Sequence, residues 1–159
     1  MPKILVIYYS KGGNTKKMAD FVAKGVKEEG GEVAVKTVDN VYPDELVQYD
    51  GYIIGSPTYY GLMAAPVKKL LDDSVILHGK LEGKVGGAFT SSANIGGGNE
   101  TTILSILQAL LIHGMIIQGT AKSDHYGPVA IGAPDSRAEK QCIALGKRVT
   151  KLAKKLYSK

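Results

Sequence analysis

Apolar positions change their period along the chain, and the changes mark out alternating strands and helices. Lys3–Tyr9 is a nearly continuous Ile/Leu/Val/Tyr run, the pattern of a strand buried on both faces. From Thr15 to Glu29, Met18, Phe21, Val22 and Val26 recur at helical spacing, and Gly30-Gly31 ends that helix. Glu32–Val38 sets Val33, Val35 and Val38 among polar neighbours, as a more exposed strand does. Asp39–Tyr49 reads as a connection with one helical turn after Pro43, and Gly51–Gly55 as a short apolar strand. Leu62–Leu71 is predicted as a helix facing inward through Val67, Leu70 and Leu71, with Pro66 in its first turn, where no N–H is needed. Lys84–Thr90 is a fourth strand and Ser91–Gly98 a Gly-rich loop. Asn99–His113 is a helix with so little polar face that it should be buried nearly all round or pack on another subunit. Gly114–Gly119 reads as a fifth strand and Lys122–Pro134 as a long loop. Arg137–Tyr157 is the last helix, with Leu145, Val149, Leu152 and Leu156 inward.

Strands separated by helices predict an α/β chain: a doubly wound, five-stranded parallel sheet between two helical layers, a three-layer sandwich. Of the doubly wound orders, 2-1-3-4-5 suits five strands and leaves strand 2 at an edge. Without repeats, low-complexity tracts or linkers, residues 1–159 read as one domain. In such sheets ligands bind beyond the carboxyl ends of the strands, at the switch in winding direction. The loops after strands 1, 3 and 4 should therefore build one site.

Composition narrows the classes. The early apolar run Ile4–Tyr9 is too short for a membrane span or a signal peptide, which predicts a cytoplasmic protein with no membrane partner. The single cysteine, Cys142, allows no internal disulfide and reads as a buried small residue among Ile143, Ala144 and Leu145. His78, His113 and His125 lack ligand spacing, so no metal is expected. Net charge is +5, with the excess gathered in Lys140, Lys147, Arg148, Lys151, Lys154, Lys155 and Lys159. Helical periodicity spreads these over a solvated face, with docking of an acidic partner as the alternative. No motif or aromatic interleaving accompanies the charge, so nucleic acid is not expected.

The three loops carry the chemistry. Ser10-Lys11-Gly12-Gly13-Asn14-Thr15 joins a buried strand to a helix. Unpaired N–H groups at a helix start bind phosphate, the helix dipole adds positive potential, and glycines let the backbone wrap the anion. Ser10, Asn14 and Thr15 add side-chain donors. The second loop, Gly55-Ser56-Pro57-Thr58-Tyr59-Tyr60-Gly61, places adjacent tyrosines at a strand's carboxyl end, where a flat aromatic ligand can stack. The third, Ser91-Ser92-Ala93-Asn94-Ile95-Gly96-Gly97-Gly98, offers N–H groups and hydroxyls with no negative charge before Glu100. Such donors suit the carbonyl-bearing edge of an isoalloxazine and would stabilise negative charge there. Two commoner patterns fail: Gly79 to Gly83-Lys84 is one residue short of a Walker loop, and Gly96-Gly97-Gly98 leads to Thr101 where a dinucleotide fingerprint needs Gly or Ala. No Gly-x-Ser-x-Gly elbow is present.

At these loops the chain resembles the flavodoxin family, close to the WrbA-type FMN-dependent NAD(P)H:quinone oxidoreductases. Ser10–Thr15 resembles the flavodoxin phosphate loop. Gly55–Gly61 resembles the second FMN loop of the WrbA group and of flavodoxins close to it. Phe89-Thr90-Ser91-Ser92 with Gly96-Gly97-Gly98-Asn99-Glu100-Thr101-Thr102, then His113-Gly114-Met115 and His125-Tyr126-Gly127, is similar to that group's later signatures. The resemblance implies a flavodoxin-like fold and non-covalent FMN. Carried over position by position, Ser10, Lys11, Gly12, Gly13, Asn14 and Thr15 hold the phosphate. Pro57, Thr58, Tyr59, Tyr60 and Gly61 flank the ring, and Ser91, Ser92, Ala93, Asn94, Ile95, Gly96 and Gly97 face its pyrimidine edge. His113 would line the ring pocket, its own or a neighbouring subunit's, or else simply close its helix. His125 and Tyr126 would shape the mouth, or belong to a plain loop.

The reading that follows is an electron carrier: FMN shuttling electrons between redox partner proteins, with no catalytic residue of the chain's own. The alternative is an FMN-dependent NAD(P)H:quinone reductase. The quinone reductases are longer between strands 2 and 3 and after strand 5 and carry a Trp that this chain lacks, which favours the carrier. Short-chain flavodoxins match the length, though their surfaces are usually acidic and this one is basic. A receiver domain shares the sheet order but needs acidic residues where Ser10 and Gly55-Ser56 stand. Monomer and homo-oligomer both remain open.

Overall fold

Successive side chains of a strand point to opposite faces, and the first strand, β1 (Lys3–Tyr8), uses both. Ile4, Val6 and Tyr8 pack with Met18, Val22 and Val26 of helix α1 (Asn14–Glu28) and Cys142, Leu145 and Val149 of helix α4 (Ser136–Tyr157). Leu5 and Ile7 pack on the other face, with Val67 and Leu70 of α2 (Ala65–Asp73) and Ile103, Ile106 and Leu110 of α3 (Asn99–Ile112). The computed structural model describes residues 1–157, so Lys159 of the basic helix face lies outside the described residues. Helices α1 and α4 cross at Gly25 and Gly146, where a Cβ would fall 2.1 Å from Ile143 O and 2.2 Å from Val22 O. Cys142 is fully buried in this layer, and burial pushes its thiol pKa up to about 12.

The remaining strands are β2 (Glu32–Thr37), β3 (Gly51–Tyr59), β4 (Leu62–Met63), β5 (Val85–Ser92), β6 (Ile116–Ile117) and β7 (Val129–Ile131). The parallel order is β2-β1-β3-β5-β6, which is the expected doubly wound order with β5 and β6 as the fourth and fifth main strands. No helix among the described residues is long and apolar enough to cross a membrane.

Several boundaries differ from the sequence reading, each for a local reason. Strand β3 runs on past Gly55 to Tyr59, because Ser56 and Pro57 keep pairing with Thr90 and Ser91 after β1 has ended. Leu62 and Met63 do not begin a helix: they fold back as β4 on Tyr59 and Thr58, and α2 starts at Ala65 with Pro66 in its first turn. The fifth strand is split. Ile116–Ile117 pairs with Val85–Gly86, residues 118–128 leave the sheet, and Val129–Ile131, read from sequence as loop, returns to pair with Thr90–Ser92. Two 3-10 turns, Val38–Asn40 and Pro43–Gln48, fill the connection after β2. Helix α3 is buried on one side only, and Leu111 and Ile112 stand 56% and 77% exposed.

Candidate functional site

Strand β1 ends at Tyr8 while β3 continues, so the end of β3 overhangs the turn that leads into α1. The Tyr9 N–H donates to Gly55 O at 3.1 Å, and beyond that point the first loop is free to open. Ser10 Oγ accepts the Gly13 N–H at 3.0 Å. Gly13, at φ 98, is the N-cap of α1 and offers no capping side chain. The first-turn N–H groups of α1 thus point to the sheet's carboxyl edge without an internal acceptor. The helix has no acid in that turn. Over residues 10–15, 55–61 and 91–98 the only charged side chain is Lys11. An anion brought here meets a helix dipole and no opposing charge.

The second loop is a hairpin tip. Thr58 and Tyr59 of β3 pair with Met63 and Leu62 of β4, leaving a two-residue turn, Tyr60-Gly61, with φ 50 and 77. Positive φ at both positions is what a type I′ turn requires, and glycine or asparagine normally supplies it. A tyrosine there carries strain of about 1–2 kcal/mol. Tyr60 is also fully exposed, at 107% of its reference area, so no packing in its own chain offsets that strain. Tyr59 stands edge-on to Tyr9 with centroids 6.4 Å apart.

Hydroxyl groups tie the three loops together. Thr90 Oγ1, fully buried, donates to Ser56 O at 2.7 Å. With its proton used, it accepts from Thr58 Oγ1 at 2.9 Å. Ser56 Oγ accepts the Ala64 N–H at 2.8 Å and donates to Pro57 O, which closes the base of the hairpin. Thr101 Oγ1 donates to Gly61 O at 2.6 Å, fastening the tip to the start of α3. Gly98, the αL N-cap of α3 at φ 97, lies so close that a Cβ there would fall 2.5 Å from Gly61 Cα. Thr15 Oγ1 of the first loop and Ser91 Oγ of the third are 2.8 Å apart and buried. Ser91 and Ser92 still belong to β5, and residues 93–97 form the exposed part of the third loop. Asn99 Nδ2 donates to Ser92 Oγ at 3.3 Å.

The sequence reading therefore finds its three loops at one edge of the sheet, cross-linked. Thr90, Thr101 and Gly98 as a contact residue escaped it as site residues. Periodicity places Thr90 in a strand interior, and the available signal for all three was their place in the Phe89–Ser92 and Gly96–Thr102 stretches that carry the family resemblance.

The histidines part company. His125 and Tyr126 lie in residues 118–128, on the same edge as the loops, where Pro128 O accepts the Thr90 N–H at 3.0 Å. His125 Nδ1–H donates to Thr120 O at 2.8 Å, and Asp124 holds the segment through the Val129 N–H and an ion pair to Arg137. His113 is elsewhere: it ends α3, about 20 Å along the helix axis from Gly98, beside Gly114, whose carbonyl accepts from Gly83 at the amino edge of the sheet. Within its own chain it does not reach the three loops. Ser74 Oγ donates to Leu71 O at 2.6 Å, so His113 Nε2–H donates to Ser74 Oγ at 2.8 Å, which leaves Nδ1 unprotonated, buried and unpartnered among the described residues. Burial first, and His78 second, lower its pKa below the usual 6.5.

Known proteins resemble this chain in sequence and fold. The sequence signature of the family described as Flavodoxin matches residues 6–89. A Flavodoxin of Aquifex aeolicus is 42% identical over 158 residues, covering 94% of this chain and 85% of that protein. An NAD(P)H dehydrogenase (quinone) of Archaeoglobus fulgidus is 37% identical over 190 residues, covering 98% and 100%. The crystal structure of a flavodoxin, WrbA-like protein from Agrobacterium tumefaciens superposes with a TM-score of 0.84 at 26% identity, over 98% of this chain and 99% of the other.

Proposed function

Since this chain belongs to the flavodoxin family, a family of flavin-binding proteins, we propose that it binds FMN non-covalently in the cradle of its three strand-end loops and carries electrons between redox proteins. The observation that carries the reading is the set of hydroxyl bonds joining the loops: Thr15 to Ser91, Thr58 to Thr90 and Thr101 to Gly61. These bonds hold the three loops at fixed separations, as a cradle for one ligand requires. Bound FMN supplies one- and two-electron redox chemistry, and the chain supplies position, field and access.

Each loop has a part in that arrangement. The α1 N-terminus with Ser10 to Thr15 holds the phosphate. The hairpin tip presents Tyr59 and Tyr60 as stacking faces, Tyr59 braced edge-on by Tyr9 and Tyr60 free of contacts within its own chain. Main-chain N–H groups of residues 93–97 face the pyrimidine edge, and no residue of that stretch is itself acidic. The open, exposed loops leave an edge of the ring accessible to a partner protein's redox centre. His125 and Tyr126 border that opening, and an acidic partner suits Lys11 at its rim.

Purified protein should be yellow, and apoprotein should regain colour on adding FMN. Anaerobic reduction should then proceed in two resolved one-electron steps. A second reading, FMN-dependent reduction of quinones by NAD(P)H, draws on the name of the Archaeoglobus relative. It requires steady-state turnover with NADH or NADPH and benzoquinone well above that of free FMN. A protein that stays colourless with excess FMN would end both readings.

A further inference from the structure

Thr15 and Ser91 are 76 positions apart in sequence, yet their hydroxyl oxygens lie 2.8 Å apart in a buried place. The residues are 2% and 7% exposed. No other hydrogen bond engages either oxygen among the described residues. Two hydroxyls carry two protons, and only one can lie between them. The other is left for a third group.

The surroundings decide which proton that is. Thr15 stands in the uncapped first turn of α1, at the anion cradle. Ser91 stands in β5, behind it. If Thr15 gave its proton to Ser91, it would turn a bare oxygen toward an incoming phosphate. If Ser91 donates to Thr15, the Thr15 proton is free for the anion, and the chain of hydroxyls polarises that donor further. Resting on the FMN reading, we propose that Ser91, although on the loop that faces the ring, is a positioning residue for the phosphate: it donates to Thr15 Oγ1 and aims the Thr15 hydroxyl at the anion. Ser91 thereby sets the preference for a phosphorylated over an unphosphorylated flavin.

The test compares FMN with riboflavin, which has the same ring and no phosphate, by flavin-fluorescence quenching on apoprotein. Ser91→Ala should weaken FMN by about five-fold or more and leave riboflavin within about two-fold. Thr15→Val should lose the same preference, Thr15→Ser should keep it, and Ser91→Ala added to Thr15→Val should cost FMN nothing further. Thermal melts of the apo variants verify folding, and the Thr15 pair reads the relay independently should Ser91→Ala not fold. Equal losses for FMN and riboflavin would show Ser91 acting on the ring and overturn the relay, as would additive losses in the double variant. Wild-type protein that binds neither flavin would remove the FMN reading itself, a result separate from either.

Discussion

Tyr60→Asn should make the apoprotein more stable and its grip on FMN weaker. Tyr60 holds φ 50 next to Gly61 at φ 77, and it is fully exposed. Asparagine tolerates left-handed backbone, and Asn-Gly is the favoured pair for a two-residue hairpin turn. Relief of the tyrosine's strain, about 1–2 kcal/mol, is offset by what little asparagine still pays, so a gain of about 1 kcal/mol is expected. No contact is lost, because the side chain has none to lose. For a chain of this size that is a rise in apoprotein Tm of about 2–4 °C. The flavin would lose an aromatic face worth about 0.5–1.5 kcal/mol, a weakening of about two- to ten-fold. Urea melts of apoprotein and FMN titrations supply the two numbers. Apoprotein of unchanged or lower stability would refute the claim that the tip stores strain, and unchanged FMN affinity would refute its assignment to the ligand.

Gly98→Ala should destabilise by about 1–3 kcal/mol, since the new Cβ lies 2.5 Å from Gly61 Cα at φ 97; FMN affinity should fall with it as the tip is displaced. Thr90→Val removes the donor to Ser56 O and the acceptor for Thr58 in a buried place, and urea unfolding should show a loss of about 1–3 kcal/mol. His113 has a lowered folded pKa, so its neutral form is the native one. The unfolded chain binds the proton first as pH falls through about 6.5, so stability should decline below that pH and hold steady above it. In His113→Gln the urea midpoint should fall less between pH 7 and pH 5 than in wild type; an identical slope would show the imidazole to be uninvolved.

The layers were legible because burial leaves a period: β1 and β3 are apolar on both faces, and Met18, Val22 and Val26 keep helical spacing. Main-chain pairing leaves no such mark. Leu62-Met63 looks like the start of a helix because two apolar residues read alike in either state, and only the turn at Tyr60-Gly61 sends them back on β3. Val129–Ile131 is too short to show alternation, so it passes for loop. Within the site, loops rich in glycine and hydroxyls at strand ends announced themselves, but which hydroxyl meets which did not. The Thr15–Ser91 and Thr101–Gly61 bonds depend on how far each strand runs before it turns. His113 closes its helix, one of the places its motif allowed, and that it sits at the far end of α3 from the loops follows from helix length and direction.

The break in the fifth strand bears on how the molecule behaves in a crowd. A long bare sheet border invites another chain to add its own backbone and so to begin a fibril. Here one border offers only Ile116–Ile117 and Val129–Ile131, set apart by residues 118–128, and the other is β2, which carries Glu32 and Lys36. Neither margin is a clean template for an invading strand.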